Sequence, residues 1–141
     1  MKKSTLRVRS KALSVPKFMA EEIRDSRTTI ILPLLSKNII SVGDYFYLKE
    51  LNNNVLTTKE TALTFIEITS CKVVNIQELT NDDIQKLNVP DIKEYYAKIL
   101  NDMVENTLKN KVSVNKLLHN YSYDNNPNIQ LLEINIVVSD D

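Results

Sequence analysis

Four arginines, Arg7, Arg9, Arg24 and Arg27, all fall within the first 27 residues of a 141-residue chain. A guanidinium presents a planar fork of donors that matches phosphate, where an ammonium offers a point charge. Lys17 stands between the two pairs, and Thr28 and Thr29 directly follow the last arginine. Cations and hydroxyls so grouped suit contacts to phosphate or to a base edge. Tyr45 adds a ring on which a splayed base can stack. A competing reading needs no ligand: Arg24 and Arg27 complement a helix end or pair with Glu21, Glu22 or Asp25.

Other reactive side chains are sparse. Glu67 sits inside the apolar run Thr64-Phe65-Ile66-Glu67-Ile68-Thr69. Strand alternation turns it to solvent between Ile66 and Ile68; lining a cleft instead, it would be a proton-transfer candidate. Cys71 is the only cysteine and reads as an inert thiol in a β run; His119 is the only histidine and reads as a rim residue. One Cys and one His cannot complete a structural zinc site, so no metal is expected. A single glycine, Gly43, excludes the P-loop and the dinucleotide fingerprint, and no cofactor is expected.

Charge is zero overall but unevenly spread. Residues 1–17 hold six basic side chains and no acid, so the other 124 residues hold 12 bases and 18 acids. A basic arm on an acidic body is a candidate anion-binding edge, or else a solvated terminus. No apolar run reaches the roughly 18–20 residues of a membrane span, so no membrane partner is expected. The basic start has no continuous apolar stretch after it and does not read as a signal peptide. A lone cysteine suits a reducing cytoplasm. Sixteen Asn, fourteen Lys and fourteen Ile have A/T-rich codons, which accounts for lysine over arginine generally but not for the arginine cluster.

These residues need elements to position them. Residues 1–14 read as a basic arm with a first strand at Ser4–Arg9. Pro16 to Asp25 reads as a helix, with Pro in its first turn. Strands follow at Thr28–Leu32, ended or edged by Pro33, and at Tyr45–Leu51, with Asn52-Asn53-Asn54 as a turn. Gly43 calls for a backbone position with positive φ. Thr61–Ile76 is too long for one regular strand and predicts a bulge near Ser70-Cys71. Thr80 with Asp83 resembles a capping box, with Asp in place of the usual Glu, for a helix ending near Leu87. Ile92, Tyr95, Tyr96, Ile99, Leu100 and Met103 mark one face of a second helix, with the tyrosines as core and rim aromatics. Val112–His119 suggests a short helix, and Ile129–Val138 a last strand. The expected core holds Leu6, Phe18, Ile23, Ile31, Phe46, Leu48, Leu63, Ile66, Ile68, Leu132 and Ile134. The class is a single α+β domain with a small mixed β-barrel and flanking helices.

One ordered set of segments resembles a family. Phe18 through Ile23-Arg24-Asp25-Ser26-Arg27-Thr28-Thr29-Ile30-Ile31, then Val42-Gly43-Asp44-Tyr45-Phe46-Tyr47-Leu48, is similar to the ASCH domain, a PUA-like fold. Phe65-Ile66-Glu67-Ile68-Thr69, Glu78-Leu79-Thr80-Asn81-Asp82-Asp83, and Asn126-Pro127 before Leu132-Glu133-Ile134 continue the likeness across about residues 15–138. The resemblance implies a small β-barrel, a cleft beside the first helix and RNA binding. In some members it implies RNA cleavage or amide hydrolysis of N4-acetylcytidine. The family's Gly-x-Lys-Thr-x-Thr is replaced by Asp25-Ser26-Arg27-Thr28-Thr29-Ile30. The Glu that the hydrolases use after the Leu-Thr helix falls at Leu87, or at Gln85 or Asn88 with a small shift. Arg cannot shed its proton as a Lys base does, and Ile30 has no nucleophilic oxygen.

The resulting expectation is a module for RNA or single-stranded nucleic acid, using Lys17, Arg24, Arg27, Thr28, Thr29 and Tyr45. A divergent hydrolase on RNA or a modified pyrimidine nucleoside is the alternative, with Arg27, Thr28, Thr29 and Glu67 as its residues. A protein-interaction domain is the third reading. A positive cleft favours the first and an acidic cleft the third. Oligomeric state is not legible.

Overall fold

The computed structural model describes residues 11–35, 40–51, 64–107 and 111–139. The expected strand at Ser4–Arg9, the Asn52–Asn54 turn, and core positions Leu6 and Leu63 lie outside these residues.

Strand β1 spans Lys11–Val15, followed by helix α1 at Lys17–Arg24 and strand β2 at Thr29–Pro33. Strands β3 (Tyr45–Glu50) and β4 (Thr64–Asn75) come next, then helices α2 (Asn81–Leu87), α3 (Ile92–Thr107) and α4 (Lys111–Asn120). Strand β5, Asn128–Ser139, closes the order. The five strands form one mixed sheet in the order β1-β3-β4-β5-β2. Only the β1–β3 pair is parallel. Strands β1 and β2 stand at the two edges, so among the described residues the sheet is open. Pro33, which has no N–H to donate, ends edge strand β2.

Strand β1 is absent from the sequence reading. Its Leu13 and Val15 are buried with polar Ser14 between them. That alternation is short, and Pro16 beside it reads more readily as the approach to a helix. Pro16 is the cap residue of α1; its carbonyl accepts from Met19 and Ala20 N–H at 3.0 Å.

The long strand β4 bends as expected. Its pairing with β5 shifts register between Phe65 and Ile66 and again between Ile68 and Ser70. The second shift skips Thr69, whose hydroxyl donates to the Glu133 carbonyl at 3.1 Å. Gly43 has φ +91, and a Cβ there would meet nothing within 4 Å. Its backbone angle, not crowding, therefore calls for glycine. The Gly43 N–H bonds Ile68 O at 2.8 Å and the Ile68 N–H bonds Asp44 O at 2.9 Å, which fastens this turn to β4.

The core lies between the sheet and helices α1, α2 and α3. Ile23, Ile31, Phe46, Leu48, Ile66, Ile68, Leu132 and Ile134 are buried as expected. Each such side chain contributes about 1.5–3 kcal/mol. Phe18 is a correction: it packs half-buried at the edge of the core. Helix α3 buries Tyr96, Ile99, Leu100 and Val104 and leaves Tyr95 at the rim. Tyr96 donates its hydroxyl to the Tyr121 carbonyl at 2.8 Å, which satisfies a group that would otherwise be costly to bury. No helix among the described residues is long and apolar enough to cross a membrane.

Candidate functional groove

Helix α1 ends in a turn that aims Arg27. The Ser26 N–H bonds Ile23 O at 3.0 Å and the Arg27 N–H bonds Glu22 O at 2.9 Å. This crossed pair is a Schellman end, which favours glycine at its left-handed position. Here that position is Ser26, with φ +95. Helix α2 also ends left-handed, at Asn88 with φ +52, whose N–H bonds Ile84 O at 3.1 Å. Asn tolerates that region better than most residues.

The Arg27 side chain then joins three helices. One Nη donates to the Leu87 carbonyl, where a cation complements the C-terminal end of α2. The other Nη lies 3.3 Å from Glu22 Oε2 on α1. The guanidinium sits 5.6 Å from the ring centroid of Tyr95 on α3. Tyr95 donates its hydroxyl to Glu22 Oε1 at 2.8 Å. Burial, then the bond to Glu22 and its charge, push the Tyr95 hydroxyl well above the usual tyrosine range, with Arg27 partly offsetting them. Tyr95 therefore stays a neutral donor at physiological pH. The Arg27 side chain is only 13% exposed, and its Nε is buried with no acceptor among the described residues.

Arg27 divides a groove between α1 and the α2–α3 connection into two halves. One, of about 490 Å³, has Phe18 and Glu21 on one wall and Asp91, Glu94, Tyr95 and Lys98 on the other. The Phe18 and Tyr95 rings meet edge-on at 5.9 Å. The second half, of about 390 Å³, has Ser26, Thr28, Lys86 and Asn88. Glu22, Asp25, Arg27 and Asn88 border both.

The halves differ in charge. Glu21, Glu22, Asp25, Asp91 and Glu94 in the first face only Arg27 and Lys98. Of the five carboxylates, Glu22 is ion-paired; the other four make no ion pair among the described residues. In the second half Glu22 and Asp25 balance Arg27 and Lys86. Lys86 Nζ lies 3.0 Å from Glu133 Oε1, and that bond and charge raise its pKa.

The structure brings together some of the sequence-predicted residues and separates others. Arg27 and the exposed Thr28 share the second half. Thr29 is buried in β2 opposite Glu133. Lys17 is exposed at the start of α1. Arg24 pairs at 3.2 Å with Glu50, at the far end of β3 from Tyr45. Five residues of strand put those two ends about 17 Å apart. Arg24, Arg27 and Tyr45 thus do not line one cleft. Glu67 is half-buried, paired with Tyr45 and Asn135, and shares no hydrogen bond with Thr28 or Thr29. Strand β5 lies between its strand and β2.

Cys71 donates to Ile40 O at 2.8 Å, and burial and the Asp44 charge push its thiol up, away from the reactive thiolate. His119 is exposed on α4. Among the described residues no three His, Cys, Asp or Glu side chains cluster to hold a metal ion. Sequence reasoning missed Lys86, Lys98 and the role of Tyr95 in the groove. Lys98 follows Tyr95 by three residues and so shares its helix face, which was the available signal. Compared with protein-family models, with curated proteins and with solved structures, the chain matches none.

Proposed function

We propose that the chain is a divergent, non-catalytic ASCH-like, PUA-like module that binds RNA or single-stranded nucleic acid. One observation carries the reading. By the resemblance, Arg27 takes the place of the family's Lys, and Leu87, or Gln85 or Asn88 with a small shift, takes that of the hydrolases' Glu. Arg27 and Leu87, 60 apart in sequence, touch, which supports reading these positions as parts of one groove. What meets there is a guanidinium and a backbone carbonyl, with the Leu87 side chain fully buried. Neither group moves a proton near neutral pH. Ile30, at the second Thr position, is also fully buried. The pattern that would make the groove an enzyme is filled with packing.

The polar half supports the binding role. Ser26, Thr28 and Asn88 offer hydroxyls and an amide to a base edge, with Lys86 beside them as a cation. The test is binding of short RNAs, DNAs and free nucleosides at two salt concentrations. Thr28→Ala should weaken RNA binding, and Lys86→Ala should flatten the log–log salt slope by about one unit if Lys86 meets a phosphate. Binding to none of them, or unchanged binding in both variants, overturns the reading. Deacetylation of N4-acetylcytidine overturns its non-catalytic part. The four carboxylates of the other half that make no ion pair among the described residues favour a second reading, a protein-interaction surface.

A further inference from the structure

We propose that the acidic half of the groove docks a basic segment of a partner protein, seating two Lys or Arg side chains that alternate along an extended chain. The charge is complementary to such a segment and opposed to a polyanion: five carboxylates against two cations. The arrangement adds a spacing. Glu21 and Asp25 lie four residues apart at the end of α1, and Asp91 and Glu94 three apart at the start of α3. Residues at such spacings on a helix have Cβ atoms about 5–6 Å apart; Asp25 and Asp91 are the residues just past α1 and just before α3. Alternate side chains of an extended segment recur at about 6.6–6.8 Å on one face, a comparable spacing suited to placing two cations along carboxylate-bearing walls.

Between the walls lie aromatic faces that already hold cations. Lys98 Nζ is 4.2 Å from the Phe18 centroid, and Arg27 lies over Tyr95. A ring face flanked by carboxylates is a favourable seat for an ammonium or guanidinium. Lys98 is exposed and makes no ion pair among the described residues, so the Phe18 ring is its seat. An arriving basic side chain competes with Lys98 for that ring. Glu22 is tied to Arg27 and Tyr95, and Asp91 Oδ1 accepts from the Glu94 N–H at 3.2 Å at the start of α3, whereas Glu21, Asp25 and Glu94 make no ion pair among the described residues. This surface adjoins the nucleic-acid contacts proposed above and shares Asn88 with them, but Glu21, Asp91, Glu94 and Lys98 line the acidic half only, so each proposal can fail without the other.

The test is fluorescence anisotropy on the full chain with a labelled peptide carrying two lysines separated by one serine. The same peptide with glutamines in place of the lysines is the blank. Saturable, salt-sensitive binding of the lysine peptide alone is expected. The double change Glu21→Gln, Glu94→Gln should weaken it about fivefold. Lys98→Ala should tighten it about threefold by freeing the Phe18 ring. Lys93→Ala removes the same charge outside the groove, where Lys93 pairs with Asp124, and should leave affinity unchanged. Equal shifts from Lys98→Ala and Lys93→Ala would reduce the effect to net charge and overturn the proposal. So would undiminished binding in the double variant, or displacement of the peptide by a short oligouridylate from the unchanged chain.

Discussion

The two halves of the groove share Arg27, Glu22, Asp25 and Asn88 but use their charges differently. In the polar half the cations are committed: Arg27 to Glu22 and the end of α2, Lys86 to Glu133. In the acidic half four carboxylates have no ion-pair partner among the described residues, while Glu22 is bonded twice. Charge consumed internally fixes where helices sit. Charge left over is available to whatever approaches from outside, though screened by salt. One arginine makes the distinction, because it closes the polar half against α2 while its flat face covers Tyr95.

The largest expected effect comes from breaking that wall. Arg27→Ala leaves Glu22 without its cation and the Leu87 carbonyl without its donor. The pair is partly buried, with side chains 13% and 32% exposed. A loss of about 2 kcal/mol is therefore expected, below that for a fully buried pair. Urea unfolding measures it, and Arg27→Lys should recover only part, lacking the fork. The counterparts in the acidic half, Glu21→Gln and Glu94→Gln, should each stay within about 0.5 kcal/mol. A large loss there would mean that those carboxylates serve the fold after all.

How much of this was legible depended on sequence separation. The Gly43 turn, the bulge in β4, the capping box and the buried and rim faces of α3 were all readable. Each is decided by neighbours within a few residues, through a backbone angle, a pleat or a helical period. The exposed His119 was readable for the same reason. The groove was not. Arg27 meets Leu87 across 60 residues, and Glu22 meets Tyr95 across 73. No local period encodes such meetings; they follow from how α1, α2 and α3 pack on the sheet. Arg24 and Arg27, three residues apart, read as one cluster, but the Schellman turn between them sends one to β3 and the other to α2. Phe18 has the composition of a core residue, yet its place on α1 facing Tyr95 and Lys98 of α3 leaves it in the groove.

The second prediction concerns the far end of α2, which must hold for Leu87 to meet Arg27. The Thr80 hydroxyl accepts from the Asp83 N–H at 3.1 Å, and the Asp83 carboxylate accepts from the Thr80 N–H at 3.3 Å. Burial alone would raise the Asp83 pKa. The bonds to Thr80 and the Lys72 ammonium 3.3 Å away outweigh it, and the carboxyl ionises below the usual aspartate range. A carboxyl with a lowered folded pKa stabilises above its unfolded value, near 4, and loses that contribution as pH falls through the folded value. Asp83→Asn should cost about 1 kcal/mol at pH 7. Below pH 4 the gap between the two proteins should narrow progressively, as followed by urea midpoints. A gap independent of pH would mean that the cap works without the charge.

The smallest effect has the opposite sign. Ser26 holds φ +95 at the left-handed position of the Schellman end, where a Cβ is strained and glycine is not. Its side chain is exposed at the edge of the polar half. Ser26→Gly relieves the strain but gives the unfolded chain more freedom, and the two terms oppose each other. At so positive a φ the strain outweighs the freedom, and a gain of about 0.5 kcal/mol is expected in urea unfolding. Because the bonds to Ile23 and Glu22 are made by backbone, the turn persists and Arg27 keeps its aim. Lysine-peptide binding in the acidic half should then be unchanged. If Ser26→Gly raises stability but weakens RNA binding, the hydroxyl is a contact of the polar half and the strain is kept for it. If stability rises and both ligands bind as before, the serine serves neither half.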